Sequence, residues 1–159
     1  MSDTHGLLRN EAVRALQGSD LIIHAGDVGK LEILDALRSI APVVAVKGNV
    51  DEDPGVTDLP ATAVAKAGRA SLYVLHDVQD LALDPAAAGH QVVISGHSHR
   101  PGCSQRSGVL YINPGSAGPR RFRLPVTVAR LDLRPTPWKI DFVDLETDVV
   151  SHSQAAVAD

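Results

Sequence analysis

The chain has 159 residues, 44% of them hydrophobic and 21% charged, with a mean hydropathy of +0.01. This suits one compact domain able to bury its own core, and it excludes wholesale disorder and a collagen-like chain. Fifteen basic residues against nineteen acidic ones leave a net charge of −4, which argues against a protein whose main task is coating nucleic acid. Cys103 is the single cysteine, so no intrachain disulfide can form. No apolar run approaches the roughly 20 residues of a membrane helix. The N-terminus lacks the basic and apolar regions of a signal peptide, so the cytoplasm is the expected compartment.

The chain opens on Asp3-Thr4-His5 with no apolar run ahead of it. Either a first strand is missing from this chain, or Asp3 and His5 hang on a loosely held terminus. Asn10 or a neighbour is expected to cap a short helix carrying Ala12, Val13 and Leu16. The run Leu21 to Ala25 is rich in β-branched residues and stops at Gly26-Asp27, which reads as a strand and turn. Leu31, Ile33, Leu34, Leu37 and Ile40 then recur at helical spacing until Pro42 ends the helix. Val43 to Val46 follows as a second strand ending in Lys47-Gly48-Asn49. Strand, helix and strand in this order imply a βαβ unit with a right-handed crossover.

From about Ala61 short strands dominate. They are expected at Thr62 to Ala65, Leu72 to Leu75, Val92 to Ile94 and Gly108 to Ile112. A terminal hairpin is expected from Pro125 to Leu133 and Trp138 to Val143, and a brief helix around Asp84 to Ala88. The whole of 1–159 reads as a single mixed α/β domain with two sheets, its residues from about 146 onward a frayed tail.

Five polar clusters stand where runs end: Asp3-Thr4-His5-Gly6, Gly26-Asp27, Gly48-Asn49, His76-Asp77 and Gly96-His97-Ser98-His99. In an open α/β sheet, ligands bind beyond the carboxyl ends of strands, where loops from different strands converge. The side chains so gathered are Asp3, His5, Asp27, Asn49, His76, His97 and His99, a donor set suited to divalent transition metals. With one carboxylate shared, they suffice for two ions roughly 3.5–4 Å apart. Taken singly, each cluster has an ordinary explanation as a turn or a hydrogen-bonded core histidine. The ordered set, each member after its own apolar run, does not.

That order resembles the calcineurin-like metallophosphoesterases, and within them the small single-domain phosphodiesterases of the YfcE type. Ser2-Asp3-Thr4-His5-Gly6, His24-Ala25-Gly26-Asp27, Gly48-Asn49-Val50-Asp51 and Asn113-Pro114-Gly115-Ser116 add to the likeness. The resemblance implies a four-layer α/β/β/α sandwich with two mixed sheets. It implies one metal on Asp3, His5, Asp27 and His99 and another on Asp27, Asn49, His76 and His97, with Asp27 bridging. Manganese is the expected metal, with zinc, iron or nickel as alternatives. Hydrolysis of a phosphodiester by a metal-bridging hydroxide follows from the resemblance, with Asp27, His97 and Asn49 as its central residues.

Many larger relatives have a histidine directly after the Gly-Asn pair to protonate the leaving oxygen; Val50 stands there in this chain. Aryl phosphodiesters are therefore expected to turn over better than alkyl ones. An arginine among Arg120, Arg121 and Arg123 could bind a phosphate oxygen, although a solvated loop is the plainer reading. Cys103 reads as a bland loop thiol. The expected partner is a small phosphodiester substrate, with a homo-oligomer an open option, and neither stable nucleic-acid binding nor a membrane is expected. The competing reading is a non-enzymatic scaffold of the same fold, as in a retromer subunit.

Overall fold

Apolar runs and turns fall where the pattern places them. In the computed structural model of the chain, which describes residues 1–121 and 123–155, β1 (Ile22–Ala25) pairs in parallel with β2 (Val43–Val46). Helix α2 (Leu31–Arg38) forms the crossover and buries Ile33, Leu34 and Leu37. These side chains pack with Ala12 and Leu16 of α1 (Asn10–Leu16) and with Ile22 and Val28. Helix α1 is capped by Arg9 without a side-chain hydrogen bond. The cap thus falls on the neighbour of Asn10, and Asn10 is the first helical residue.

A five-stranded sheet runs in the order β3 (Thr62–Ala67), β4 (Ala70–Leu75), β5 (Val92–Ile94), β7 (Val109–Asn113) and β6 (Gly102–Arg106). Strands β4, β5 and β7 are parallel, and β3 and β6 close the edges antiparallel. Central parallel strands are covered on both faces and read as unbroken apolar runs, as Val92-Val93-Ile94 does. Strand β6 has no such run. Ser104, Gln105 and Arg106 are exposed, and an edge strand of polar residues leaves no alternation to read. It joins β7 through Ser107 and Gly108, both at positive φ, the backbone that a two-residue hairpin turn demands.

Strands β8 (Thr127–Asp132), β9 (Trp138–Asp144) and β10 (Val150–Ala155) form an antiparallel meander. The stretch expected to fray from 146 thus pairs along β9 through Ala155; residues 156–159 lie outside the described residues. The helix expected at Asp84 to Ala88 is a turn in which Asp84 Oδ1 accepts the N–H groups of Ala86 and Ala87.

The N-terminus is not loose. The Met1 amino group donates to Ile23 O at 2.9 Å and the Ala25 N–H donates to Met1 O at 3.0 Å. On the other flank Ala117 N–H donates to Ser2 O at 3.0 Å. Residues 1–3 therefore extend the β1–β2 pair toward the segment that leads into β8. Ala25, Val46, Val74, Val92, Ile94, Ile112, Ile140 and Phe142 fill the space between this layer and the five-stranded sheet. Helices cover the first layer. Leu81 of the 76–91 loop, which carries a 3-10 turn at Val78–Asp80, packs against Leu75, Val93 and Val109 of the second. Among the described residues no helix is long and apolar enough to cross a membrane.

Candidate metal centre

Asp27 follows β1, Asn49 follows β2, His76 follows β4, and His97 and His99 follow β5, so both layers deliver side chains at the carboxyl ends of their strands. Together with Asp3 and His5 they meet in one place, as expected. His99 Nε2 lies 3.2 Å from Asp3 Oδ1 and 3.3 Å from His5 Nε2. His5 Nε2 is 3.8 Å from Asp27 Oδ2. Across Asp27, His76 Nε2 is 3.4 Å from the same Oδ2 and 3.0 Å from Asn49 Oδ1. His97 Nδ1 is 3.1 Å from Asn49 Oδ1 and 3.3 Å from His76 Nε2. The donors fall into two groups, with the Asp27 carboxylate between them.

The backbone is bent to aim them. Asp3, His5, Asp27, His97 and His99 all adopt positive φ, between 46° and 65°. For a residue with a Cβ this region costs on the order of 1–3 kcal/mol and persists where its surroundings enforce it. Nothing in the residue types announces it. Gly48 lies against Asp27 so closely that a Cβ there would overlap the Asp27 carboxylate and backbone nitrogen.

Asp51, buried, accepts the N–H groups of both Gly29 and Gly48 at 2.7 Å, tying the turns after β1 and β2 together. Asn113 does the same for the histidine turn. Its Nδ2 donates to Gly96 O at 2.6 Å, and its Oδ1 accepts the Gly115 N–H at 2.9 Å.

His76 Nδ1–H donates to Ala25 O at 2.8 Å, which turns Nε2 toward Asp27 and Asn49. Burial works to lower the His76 pKa, but the hydrogen bonds with Asp27 and Ala25 outweigh it and raise the value to about 9. Burial would raise the Asp27 pKa, yet hydrogen bonds from His76 and from the Val50 N–H keep it below the usual carboxylate range. Burial, seconded by the Arg121 charge, lowers the His5 pKa, so His5 is neutral at pH 7.

Both carboxylate oxygens of Asp3 are buried without a hydrogen-bond partner, although His5 and His99 turn their Nε2 atoms toward the same point. A buried carboxylate with no partner is costly. Ligand atoms of Asp3, His5 and His99 lie within 4.8 Å of one another, as do those of Asp3, Asp27 and His76. Aspartate oxygens and imidazole nitrogens so arranged fit a divalent cation.

Asp77, part of the His76-Asp77 cluster, is not among the residues expected to take a place in the site. Its Oδ2 lies 3.5 Å from His97 Nε2, on the side of the ring away from Asn49. Only its position after His76 could have drawn notice. Of the arginines, Arg120 pairs with Glu146 at 3.0 Å, whereas the Arg121 charge is felt at His5. Cys103 is a half-buried free thiol on β6.

Two layered sheets that gather aspartate, asparagine and histidine donors at their carboxyl edges define a metal-binding α/β sandwich. Residues 1–136 match the family model of the calcineurin-like phosphoesterase superfamily domain, and the chain belongs to that superfamily. It is 40% identical over 105 residues, 61% of this chain, to a probable metallophosphoesterase of Methanocaldococcus jannaschii, and spans about half (53%) of that protein's length. The structure is similar to that of YfcE, a phosphoesterase from E. coli, with a TM-score of 0.73 at 22% identity over 99% of this chain and 97% of the other. It is equally similar to a single mutant of Vps29 from Entamoeba histolytica, with a TM-score of 0.76 at 24% identity over 99% and 97%. Likeness at these identities establishes the shared mixed α/β fold, although among the described residues of this chain helices cover only one face where the expected four-layer sandwich has them on both.

Proposed function

We propose that this protein is a metal-dependent phosphodiesterase. One divalent cation is held by Asp3, His5, Asp27 and His99, and a second by Asp27, Asn49, His76 and His97. The observation that carries this reading is Asp27 Oδ2, which lies 3.8 Å from His5 Nε2 on one side and 3.4 Å from His76 Nε2 on the other, beside the partnerless Asp3 carboxylate. When bound, two such cations supply Lewis-acid polarisation of the phosphoryl oxygens and lower the pKa of water toward neutrality. Manganese is the metal we expect; the donor set also accommodates zinc, iron or nickel.

The side chains prepare the rest. Asp27, ionised at neutral pH, offers its Oδ2 to both donor groups while its Oδ1 accepts the Val50 N–H at 3.1 Å, which fixes the carboxylate plane. Asn49 places a neutral oxygen between His76 and His97, where another carboxylate would add repulsion. Arg121 brings positive charge to the His5 side, suited to a phosphate oxygen. Val50 is half-exposed at the mouth of the site and can donate no proton from its side chain. The leaving oxygen thus departs without help from that position. A missing general acid is worth about 10²–10⁴-fold, so a small aryl phosphodiester should outpace an alkyl one.

The test is hydrolysis of a chromogenic aryl phosphodiester with and without Mn²⁺, with Asp27→Asn beside the unaltered chain. Metal-dependent turnover that the substitution abolishes supports the reading. Absence of turnover with Mn²⁺, Zn²⁺, Ni²⁺ and Fe²⁺ in turn overturns it in favour of a non-enzymatic scaffold, the reading that fold likeness to Vps29 keeps in play.

A further inference from the structure

Thr4 stands between two of the converging residues, Asp3 and His5, both held at positive φ. Its side chain is buried, and the hydroxyl meets two groups of the β1 layer. Oγ1 donates to Val28 O at 2.9 Å and lies 2.9 Å from His24 Nε2. A hydroxyl has one proton to give, and Val28 O can only accept. The proton of the second contact therefore comes from His24, whose Nε2–H donates to Thr4 Oγ1. That leaves His24 Nδ1 as a bare lone pair, fully buried and without a hydrogen-bond partner.

An orphaned buried acceptor lowers stability, and an apolar side chain would fill the same place without it. What the imidazole adds is its hold on the Thr4 hydroxyl. We infer that His24 and Thr4 are positioning residues of the candidate metal centre: the chain from His24 Nε2–H through Thr4 Oγ1–H to Val28 O clamps the Asp3-Thr4-His5 turn onto β1, and so aims Asp3 and His5 at the first cation. This inference rests on the two-cation reading and says which side chains, themselves not ligands, set the affinity of one cation.

The clamp works on one side of the centre. The main chain of the turn is already tied to the segment after β1, since Asp3 N–H donates to Gly26 O, His5 N–H to Asp27 O and Gly6 N–H to Val28 O. Loss of the Thr4 hydroxyl therefore leaves the turn in place, with Val28 O still paired, and frees its middle residue. At positive φ, a conformation that persists where the surroundings enforce it, the two flanking residues then lose their aim. Asn49, His76 and His97 stand on other turns, which Thr4 and His24 do not hold.

The experiment is isothermal titration of the metal-free protein with Mn²⁺, beside urea unfolding of the same chains in EDTA. Asp3→Asn marks which binding step belongs to the first cation. Thr4→Val, which keeps the shape and removes the hydroxyl, is expected to weaken that step about 10–100-fold and to leave the second unchanged. Thr4→Ser, which keeps the hydroxyl, and His24→Gln, whose amide nitrogen can take the place of Nε2, should bind like the unaltered chain. Thr4→Val also orphans the His24 N–H and so lowers stability. Adding His24→Leu removes both partners together, which should restore stability without restoring the first step. A double variant that regains both overturns the inference, because the pair then serves stability alone. Equal weakening of both steps by Thr4→Val, or of neither, also overturns it while the two-cation reading stands. An unaltered chain that binds no Mn²⁺ overturns that reading, and this inference with it.

Discussion

His5 and His99 point their Nε2 atoms at each other across 3.3 Å, although 94 residues separate them in the chain. Asp3 Oδ1 stands 3.2 Å from the second of these nitrogens and receives no hydrogen bond. Two imidazoles and a carboxylate converging on one point, at backbone angles that cost energy, form a site shaped by something other than their mutual attraction. A cation removes the conflict.

Cation binding should therefore stabilise the fold measurably. A ligand at a hundred times its Kd contributes about 2.7 kcal/mol, and about 1 kcal/mol shifts Tm by roughly 2–4 °C at this chain length. Scanning calorimetry in EDTA and then in excess Mn²⁺ should show a rise of about 5–10 °C. The same scans on Asp3→Asn should show most of that rise gone. An unchanged midpoint in the unaltered protein would contradict the donor grouping.

Gly48→Ala should be damaging out of proportion to its size. The added Cβ meets Asp27's carboxylate and backbone nitrogen, and the hydrogen bond from Gly48 N–H to Asp51 would be displaced with it. We expect a loss of about 2–4 kcal/mol in urea unfolding, with strain and a broken buried hydrogen bond as its two sources. Gly102→Ala, at an ordinary φ with nothing within 4 Å of the new methyl, should stay within about 0.5 kcal/mol. Equal effects at the two glycines would refute the packing argument.

The metal-free protein should have a stability plateau near neutrality that drops away in acid. Burial lowers the His24 pKa from 6.5 to about 3 and that of the Met1 amino group from 8.0 to about 5. For each, the folded state resists the proton that the unfolded chain accepts, so stability is full above the unfolded pKa and lost as pH falls toward the folded one. His76 has the opposite sign. Its pKa is raised to about 9, so its contribution is full below 6.5 and fades as pH rises from there through about 9. Between 8.0 and 6.5 the Met1 and His76 effects oppose each other. From 6.5 down to about 5, His24 and Met1 together cost about 2.8 kcal/mol per pH unit. His24→Gln should roughly halve that acid slope in denaturant titrations with EDTA present. An unaltered slope would mean that His24 is not the group titrating.

Asp77 should act through His97. With His97 Nδ1 turned to Asn49 and His76, its Nε2 faces the Asp77 carboxylate, the arrangement by which an outer carboxylate orients an imidazole ligand. Asp77→Asn should weaken binding of the second cation about 10–100-fold in isothermal titration while leaving the first unchanged. The Asn side chain keeps the oxygen that accepts the Gln79 N–H, so the 3-10 turn after it should persist. Equal loss at both cations would instead mark a structural role.

Much of this molecule was legible from the one-dimensional pattern because its signals are local. A β-branched run that ends in Gly-Asp or Gly-Asn reads as a strand delivering a polar side chain. Gly96-His97-Ser98-His99 reads as two rings on one bend, and Pro42 stops α2 by chemistry that needs no partner. The seven residues that converge at the strand ends could be named for that reason. Strand β10 escaped because Val150 to Ala155 holds mostly small and polar residues, and only β9 alongside makes a strand of them. Tertiary structure alone decided that Asp51 ties two turns, that Asp77 faces His97, and that His76 gives its proton to Ala25. It also decided that five donors sit at positive φ, and that His24 meets the Thr4 hydroxyl. Each is a relation between residues brought close by folding, or a backbone angle imposed by such neighbours, and residue type and spacing carry no record of either.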